Sequence, residues 1–166
     1  AVFDLAMQYL HADQPDKAAE ICRARLLSSP PDLNLLTLQG VSLIAARKPA
    51  EAIAPLQSAV EMAPRFPRAQ ENLGQALLML NQLDEAHTHL KLAAQLDPQS
   101  ASARQKLGHV LAAMGKGDDA DIIFEQGFEL DPQKARLAKA GEHLRAGRFD
   151  ECEILCKELL QENPKN

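Results

Sequence analysis

Tryptophan is absent from this sequence of 166 residues, and the other aromatic side chains amount to one tyrosine and five phenylalanines. Valine, isoleucine and threonine are also scarce, with 12 residues between them, whereas alanine and leucine number 27 and 26. β-Branched and aromatic residues favour strands, while alanine and leucine favour helices. The composition therefore predicts an all-α protein.

Cysteine is equally sparse, and Cys22, Cys152 and Cys156 are the three in the chain. An odd and widely spaced set does not form a disulfide framework. Cys152 and Cys156 share one face of a helix, but the sequence offers no further metal ligands beside them. We therefore predict three small packing residues, because a free cysteine behaves as a small buried hydrophobe.

Basic residues are in the minority, and the formal net charge is -5 at pH 7. A general nucleic-acid binder needs a dominant basic face, so this class is excluded. No apolar run approaches the roughly 18 residues of a membrane-spanning helix. The apolar opening resembles a signal-peptide core, but Asp4, Gln8 and His11 interrupt it and no basic segment precedes it. We expect a cytoplasmic protein that does not bind membranes.

Three series of residues recur along the chain with a common period. Five of the ten prolines form a series with spacings of 34, 34, 34 and 32 residues, and four of the eight glycines form a series with spacings of 34, 34 and 33 residues. The members are Pro30, Pro64, Pro98, Pro132 and Pro164; Gly40, Gly74, Gly108 and Gly141; and Ala18, Ala52, Ala86 and Ala120, continued by Cys152. Such a period indicates tandem copies of one supersecondary unit.

Each unit contains two amphipathic helical patterns. In the third unit, leucines and alanines repeating every three to four residues predict helix A over about residues 68 to 80 and helix B over about residues 84 to 96. The turn between them needs a residue in the left-handed conformation. We predict that residue to be Asn81 here, with Gly115 and Gly147 at the matching positions of later units.

The glycine series has a packing explanation. A glycine inside a helix costs roughly 1 kcal/mol relative to alanine. In an antiparallel helix pair the axes approach most closely where the side chains are smallest. We therefore predict that Gly74 of helix A contacts Ala86 of helix B.

This pattern resembles the tetratricopeptide repeat family, whose units carry a small residue in helix A, an alanine early in helix B, a large apolar residue four positions later and a terminal proline. The third unit supplies Gly74, Ala86, Leu90 and Pro98, and the fourth supplies Gly108, Ala120, Phe124 and Pro132. The early tryptophan of the family is missing from every unit. The resemblance implies one right-handed α-solenoid domain over residues 1–166, with repeats at about 1–32, 33–66, 67–100, 101–133 and 134–166.

In this family the A helices line a concave groove. The residues that the resemblance places there are Met7, His11, Asn34, Leu38, Val41, Asn72, Gln75, Lys106, His109, Lys139, Glu142 and Arg145. The N-terminal half of this set is apolar, and the C-terminal half is polar with basic groups. We therefore expect the groove to bind a peptide with apolar anchors at one end and acidic groups at the other.

We expect no catalytic, metal-binding or cofactor-binding residues in this region. His87 and His89 are two residues apart, so they point to different sides of a helix. His109 and Glu142 could form an acid–base pair on adjacent A helices, but no nucleophile or cofactor motif accompanies them. We predict a non-catalytic scaffold that binds a protein or peptide.

Two further hypotheses remain open. The chain begins without methionine inside a helix A and ends where another would start, which suggests a fragment of a longer protein. Since bacterial proteins join such repeats to transferase domains, the region could be the recruiting arm of a sulfotransferase or glycosyltransferase. Alternatively, Leu155, Leu159 and Leu160 on an uncapped last helix could mediate self-association.

Overall fold

The computed structural model describes residues 1–162, leaving aside the side chains at positions 134 and 162, so Pro164 lies outside the described residues. These residues form ten α-helices and no strand, which confirms the predicted all-α class. The helices are α1 (Val2–His11), α2 (Pro15–Leu27), α3 (Leu33–Ala45), α4 (Pro49–Met62), α5 (Pro67–Met79), α6 (Leu83–Leu96), α7 (Ala101–Ala113), α8 (Gly117–Leu130), α9 (Pro132–Arg145) and α10 (Phe149–Glu162). Helices α5 and α6 lie within one residue of the predicted bounds.

The helix starts follow from local chemistry. Pro15, Pro49 and Pro67 each occupy the first turn of a helix, where the missing N–H would have no intrahelical partner. Asp32 caps α3 by accepting a hydrogen bond of 2.9 Å from the backbone N–H of Leu35. Ser100 similarly caps α7. The caps of α3 and α7 and the proline of α5 fix where these three A helices begin.

The turns within the helix pairs contain one left-handed residue each. The prediction is confirmed for Asn81, Gly115 and Gly147, whose φ angles are +59°, +76° and +72°. Asp13 and Arg47 take the same conformation at φ +54° and +61°. Sequence reasoning missed these two, although both fall on the 34-residue period. Arginine is not typical of the left-handed region, whereas aspartate, like asparagine, is enriched there, so Asp13 could have been found from its residue type as well.

Successive helices pack as antiparallel pairs, and the pairs stack on one another. Helices α1, α3 and α5 also contact α3, α5 and α7, respectively. The main core runs through the stack, with Leu56, Leu90 and Val110 fully buried in it. The alanines of the repeat pattern are at most 1 % exposed, at Ala18, Ala52, Ala86 and Ala120. The result is an elongated α-solenoid whose A helices share one surface.

Close helix contact occurs at three of the four glycines in the series. A Cβ atom on Gly74 would lie 2.6 Å from Cγ of Leu90 and 3.2 Å from the backbone oxygen of Ala86. Gly74 therefore contacts Ala86, as predicted, but Leu90 is its nearer neighbour. Gly40 and Gly108 stand in the same relation to Leu56 and Phe124.

The last helix pair departs from this arrangement at Gly141. Among the described residues, no atom outside its own helix turn lies within 4 Å of a Cβ built on Gly141, so the contact expected there is absent. The other three glycines precede the left-handed turn residue by seven positions, whereas Gly141 precedes Gly147 by six. Ala140 stands seven positions before Gly147 and is 3 % exposed. The structural equivalent of the glycine is thus Ala140, and the sequence alignment of this helix was wrong by one residue.

The connection into α9 also differs from the others. Helix α9 begins at Pro132, directly after the single residue Asp131, whereas four residues connect α4 to α5 and α6 to α7. Helices α7 and α9 are not in contact within the described part of the chain. The row of neighbouring A helices therefore ends at α7.

Candidate functional site

A cleft of about 640 Å³ lies on the surface formed by the A helices α1, α3, α5 and α7. Three of these helices supply most of the lining, and the connecting segments before α5 and α7 close one side. The lining residues are Phe3, Met7, Leu10, Asn34, Thr37, Leu38, Val41, Phe66, Pro67, Arg68, Glu71, Asn72, Asp97, Ser100 and Ser102. We call this region the concave cleft.

One end of the concave cleft is apolar. Phe3, Met7 and Leu10 are spaced four and three residues apart, so they lie along one face of α1. Val41 of α3 is half-buried opposite them, while Leu38 is only 6 % exposed and anchors the floor to the core. Of the residues assigned to the groove from the sequence, Met7, Leu38 and Val41 are brought together here.

Two amides make the middle of the cleft polar. Asn34 on α3 and Asn72 on α5, both assigned to the groove from the sequence, line it. Neither side chain forms a hydrogen bond with another residue of the described chain. Thr37 differs, because its hydroxyl donates to the backbone oxygen of Leu33 at 2.7 Å. The two amides are therefore available to donate to and accept from the main chain of a ligand.

A hydrogen-bonded ion pair joins α5 to α7 at the edge of the cleft. Oε1 of Glu71 accepts from the Ser102 hydroxyl at 2.7 Å and lies 2.5 Å from Nζ of Lys106. The side chains of Lys106 and Glu71 are only 21 % and 15 % exposed. Lys106 was assigned from the sequence as a basic contact for an acidic ligand. The structure corrects this, because the ammonium is already neutralised by Glu71.

Three other residues assigned to the groove lie outside the cleft. His11 is exposed at the end of α1, and Gln75 is half-buried on α5 without lining the cavity. His109 packs edge-on against Phe124, with 5.1 Å between the ring centroids. Since α7 and α9 do not touch in the described chain, His109 and Glu142 are not brought together as an acid–base pair.

The basic end expected on α9 does not form part of the cleft. Lys139 lines a separate depression between α9 and α10, with His143 and two glutamates. Glu142 and Arg145 are exposed on α9. Counted back from Gly147, the positions equivalent to Lys106 and His109 are Ala138 and Gly141. The one-residue shift of α9 thus removes Lys139 and Glu142 from the concave face and leaves Leu137 and Leu144 exposed instead.

Sequence reasoning missed two hydrogen bonds of the buried Gln70 on α5, a helix that lines the cleft. Gln70 is 2 % exposed, and its Nε2 donates to the backbone oxygen of Pro64 at 2.7 Å. Its Oε1 lies 2.6 Å from Nδ1 of His89, so that ring nitrogen carries the proton. Burial lowers the pKa of His89, against a weaker opposing effect of Glu85. His87 points elsewhere, as the two-residue spacing predicted, and lines a different groove.

Three further properties of the described part of the chain concern metal binding, membrane spanning and thiol reactivity. No group of three or more histidine, cysteine, aspartate or glutamate side chains in residues 1–162 is arranged to hold a metal ion. No helix in this range is both long enough and apolar enough to cross a membrane. Cys22 is fully buried, and desolvation raises the pKa of its thiol to about 11, consistent with a packing role.

Comparisons with known proteins agree with this architecture. Two tetratricopeptide repeat models match residues 37–101 and 83–144, while the comparison with curated protein sequences gave no match. TTC0263, a thermophilic TPR protein of Thermus thermophilus, is 23 % identical with a TM-score of 0.81, over 99 % of this chain and 91 % of that one. MamA is 24 % identical with a TM-score of 0.71, over 96 % and 95 % of the two chains.

A third solved structure is YrrB, described as a TPR protein with an unusual peptide-binding site. It is 21 % identical with a TM-score of 0.69, over 79 % of this chain and 68 % of that one. At these identities the likeness concerns the fold, and it confirms the predicted α-solenoid. The repeat period, the helix pairs and the two family matches establish that this chain belongs to the tetratricopeptide repeat family.

Proposed function

We propose that the chain is a non-catalytic interaction scaffold that binds an extended peptide segment of a partner protein in the concave cleft. The observation that carries the proposal is the cleft itself, in which an apolar end and two unengaged amides face one cavity of about 640 Å³. A cavity of this size accommodates several side chains of a ligand. The fold supports protein interaction in general, and the likeness to a TPR protein with a peptide-binding site supports a peptide ligand.

The residues that line the cleft also indicate which kind of ligand it binds. Apolar side chains of the peptide would pack against Phe3, Met7 and Val41, because burying aliphatic surface there supplies most of the affinity. An extended main chain has N–H and C=O groups that need partners, and the amides of Asn34 and Asn72 can provide them. The ligand is therefore an extended, largely apolar segment, rather than the partly acidic one expected from the sequence.

Peptide selection on the intact chain tests this proposal. Random dodecapeptides displayed on phage would be selected against the protein and then titrated as labelled synthetic peptides by fluorescence anisotropy. We expect Phe3→Ser and Asn72→Ala each to lower the affinity for the apolar peptides by several-fold or more. Phe149→Ser is the matched control, because Phe149 is 67 % exposed on α10, far from the cleft.

Either of two results would overturn the proposal. One is that no apolar peptide is enriched, and the other is that both cleft variants retain wild-type affinity for those that are. No observation in the described residues favours the arm of a transferase, so we do not extend the proposal to catalysis elsewhere.

A further inference from the structure

A second groove lies between the B helices α6 and α8, above α7, and has a volume of about 410 Å³. We call it the outer groove and define it by His87, Lys91, Arg104, Leu107, Leu111 and Ile122. It shares no residue with the concave cleft. The two sites can therefore be altered independently.

The residues at the outer groove differ from those of the previous repeat. One repeat earlier, the buried Gln70 donates to the carbonyl of the repeat proline and also accepts from His89, which forms a bridge between α5 and α6. Arg104 occupies the position of Gln70 and also donates to its repeat proline. Ile123 occupies the position of His89, however, and has no polar atom to meet the guanidinium. The bridge is lost, and Arg104 borders an open groove.

The floor and wall of the groove are aliphatic. Leu107 and Leu111 are 5 % and 6 % exposed and form the floor. Ile122 is 55 % exposed on α8 and stands where the previous repeat has Thr88. The exposed isoleucine and the two leucines below it offer apolar area that a ligand would remove from water.

The rim carries positive charge within an acidic protein. Neither Lys91 nor Arg104 forms an ion pair with a carboxylate among the described residues, and Asp119 is the one acid in the lining. Burial, followed by the charges of Lys116 and Lys91, lowers the pKa of His87. The rim thus holds at least two cations opposite one anion, although the whole chain has a net charge of -5. This imbalance selects a ligand with carboxylates.

We propose that the outer groove is a second docking site, for a short segment of a partner protein that carries carboxylate side chains beside large aliphatic ones. The carboxylates pair with Lys91 and Arg104, and an aliphatic side chain packs between Ile122 and the leucine floor. This proposal does not depend on the concave cleft, which selects an apolar segment.

Dodecapeptide selection on the intact chain, followed by anisotropy titration, also tests this site. We expect a second class of enriched peptides that combine Asp or Glu with Leu, Ile or Val. Ile122→Ser and Lys91→Glu should each lower the affinity for this class of peptides by about tenfold. Two matched controls should leave it unchanged: Ile154→Ser, at the equivalent position of the last repeat and 60 % exposed, and Arg23→Glu, 68 residues before Lys91. Phe3→Ser should not affect it either.

Several outcomes would overturn the proposal. The acidic–aliphatic class could be absent, or it could bind equally well to the Ile122→Ser and Lys91→Glu variants. If poly-glutamate bound as tightly as the selected peptides, the groove would act only as a positively charged surface, without recognition of aliphatic side chains. A concentration-dependent mass in light scattering that Lys91→Glu abolishes would assign the groove to a second copy of this chain. Circular dichroism melts of each variant verify that a loss of binding is not a loss of folding.

Discussion

Leu90 occupies the space that any side chain on Gly74 would need. A Cβ atom at Gly74 would lie 2.6 Å from Cγ of Leu90, well inside van der Waals contact. Leu90 is fully buried in the main core, so it has little room to withdraw. The glycine therefore sets how closely α5 approaches α6, and with it the position of Asn72, two residues earlier on α5.

Gly74→Leu should overpack this helix pair and destabilise the protein by roughly 1–3 kcal/mol or more. The reason is that a branched side chain must displace Leu90 or separate the two helices. A urea denaturation curve of the variant beside the wild type measures the change. An unchanged midpoint would show that the helices are not held at this distance.

Gly141→Ala should have the opposite effect, although the sequence pattern places it in the same series. Among the described residues nothing lies within 4 Å of a Cβ at this position, and Gly141 is helical within α9. Replacing a helical glycine by alanine in open space stabilises by up to about 1 kcal/mol. Destabilisation in the same urea experiment would contradict the one-residue shift of α9 and restore the alignment inferred from the sequence.

The stability of the protein should fall as the pH is lowered below neutrality, in part through His89. Burial lowers the pKa of His89 below its ordinary value of 6.5, so the unfolded chain binds this proton more readily than the folded chain. Its contribution to stability is therefore complete above about pH 6.5 and declines at lower pH. Burial lowers the pKa of His87 in the same direction.

The variant His89→Gln isolates this contribution, because an amide can still donate to Gln70 but does not titrate. We expect urea midpoints at about pH 7.5 and pH 5.5 to differ less in His89→Gln than in the wild type. His11→Gln is the matched control at an exposed position. If His89→Gln retained the full difference between the two pH values, the acid sensitivity would arise elsewhere.

The pair of Glu71 and Lys106 should couple the third repeat to the fourth. Both side chains are mostly buried, and Ser102 adds a hydrogen bond to the same carboxylate oxygen. A double-mutant cycle with Glu71→Gln and Lys106→Met should give a coupling free energy of about 1 kcal/mol. Asp16 and Lys48, an exposed pair 2.8 Å apart, serve as the control and should couple more weakly. Equal coupling in the two cycles would mean that burial adds nothing at α5 and α7.

Much of the fold follows from the sequence because the 34-residue period multiplies weak local signals. Asn81, Gly115 and Gly147 are found in the left-handed turns where they were expected, and α5 and α6 lie within one residue of their predicted bounds. Arg47 could be placed only by counting along the period, since its side chain gives no sign of a left-handed conformation. Repetition therefore supplied information that residue type alone did not.

The site was harder to predict, because it depends on contacts between repeats. In the sequence, no acidic residue stands beside Lys106 in its own repeat to mark it as paired. Only the approach of α5 to α7 in the structure shows that Glu71 neutralises its charge. Lys139 was placed wrongly because Gly141 was aligned with the glycines of the earlier repeats. The register of the helix is instead set by the distance to the turn residue Gly147. Both errors concern which side chain faces which neighbour, and a period in one dimension does not determine this.

The central claim is that peptides bind in the concave cleft, and amide chemical-shift mapping of the ¹⁵N-labelled chain tests it most directly. The titrant is an apolar peptide recovered by selection. We expect shifts concentrated on α1, α3 and α5, including Met7, Val41 and Asn72, with few changes on α10. Shifts confined to α8, α9 and α10, or no shifts at saturating peptide, would contradict it.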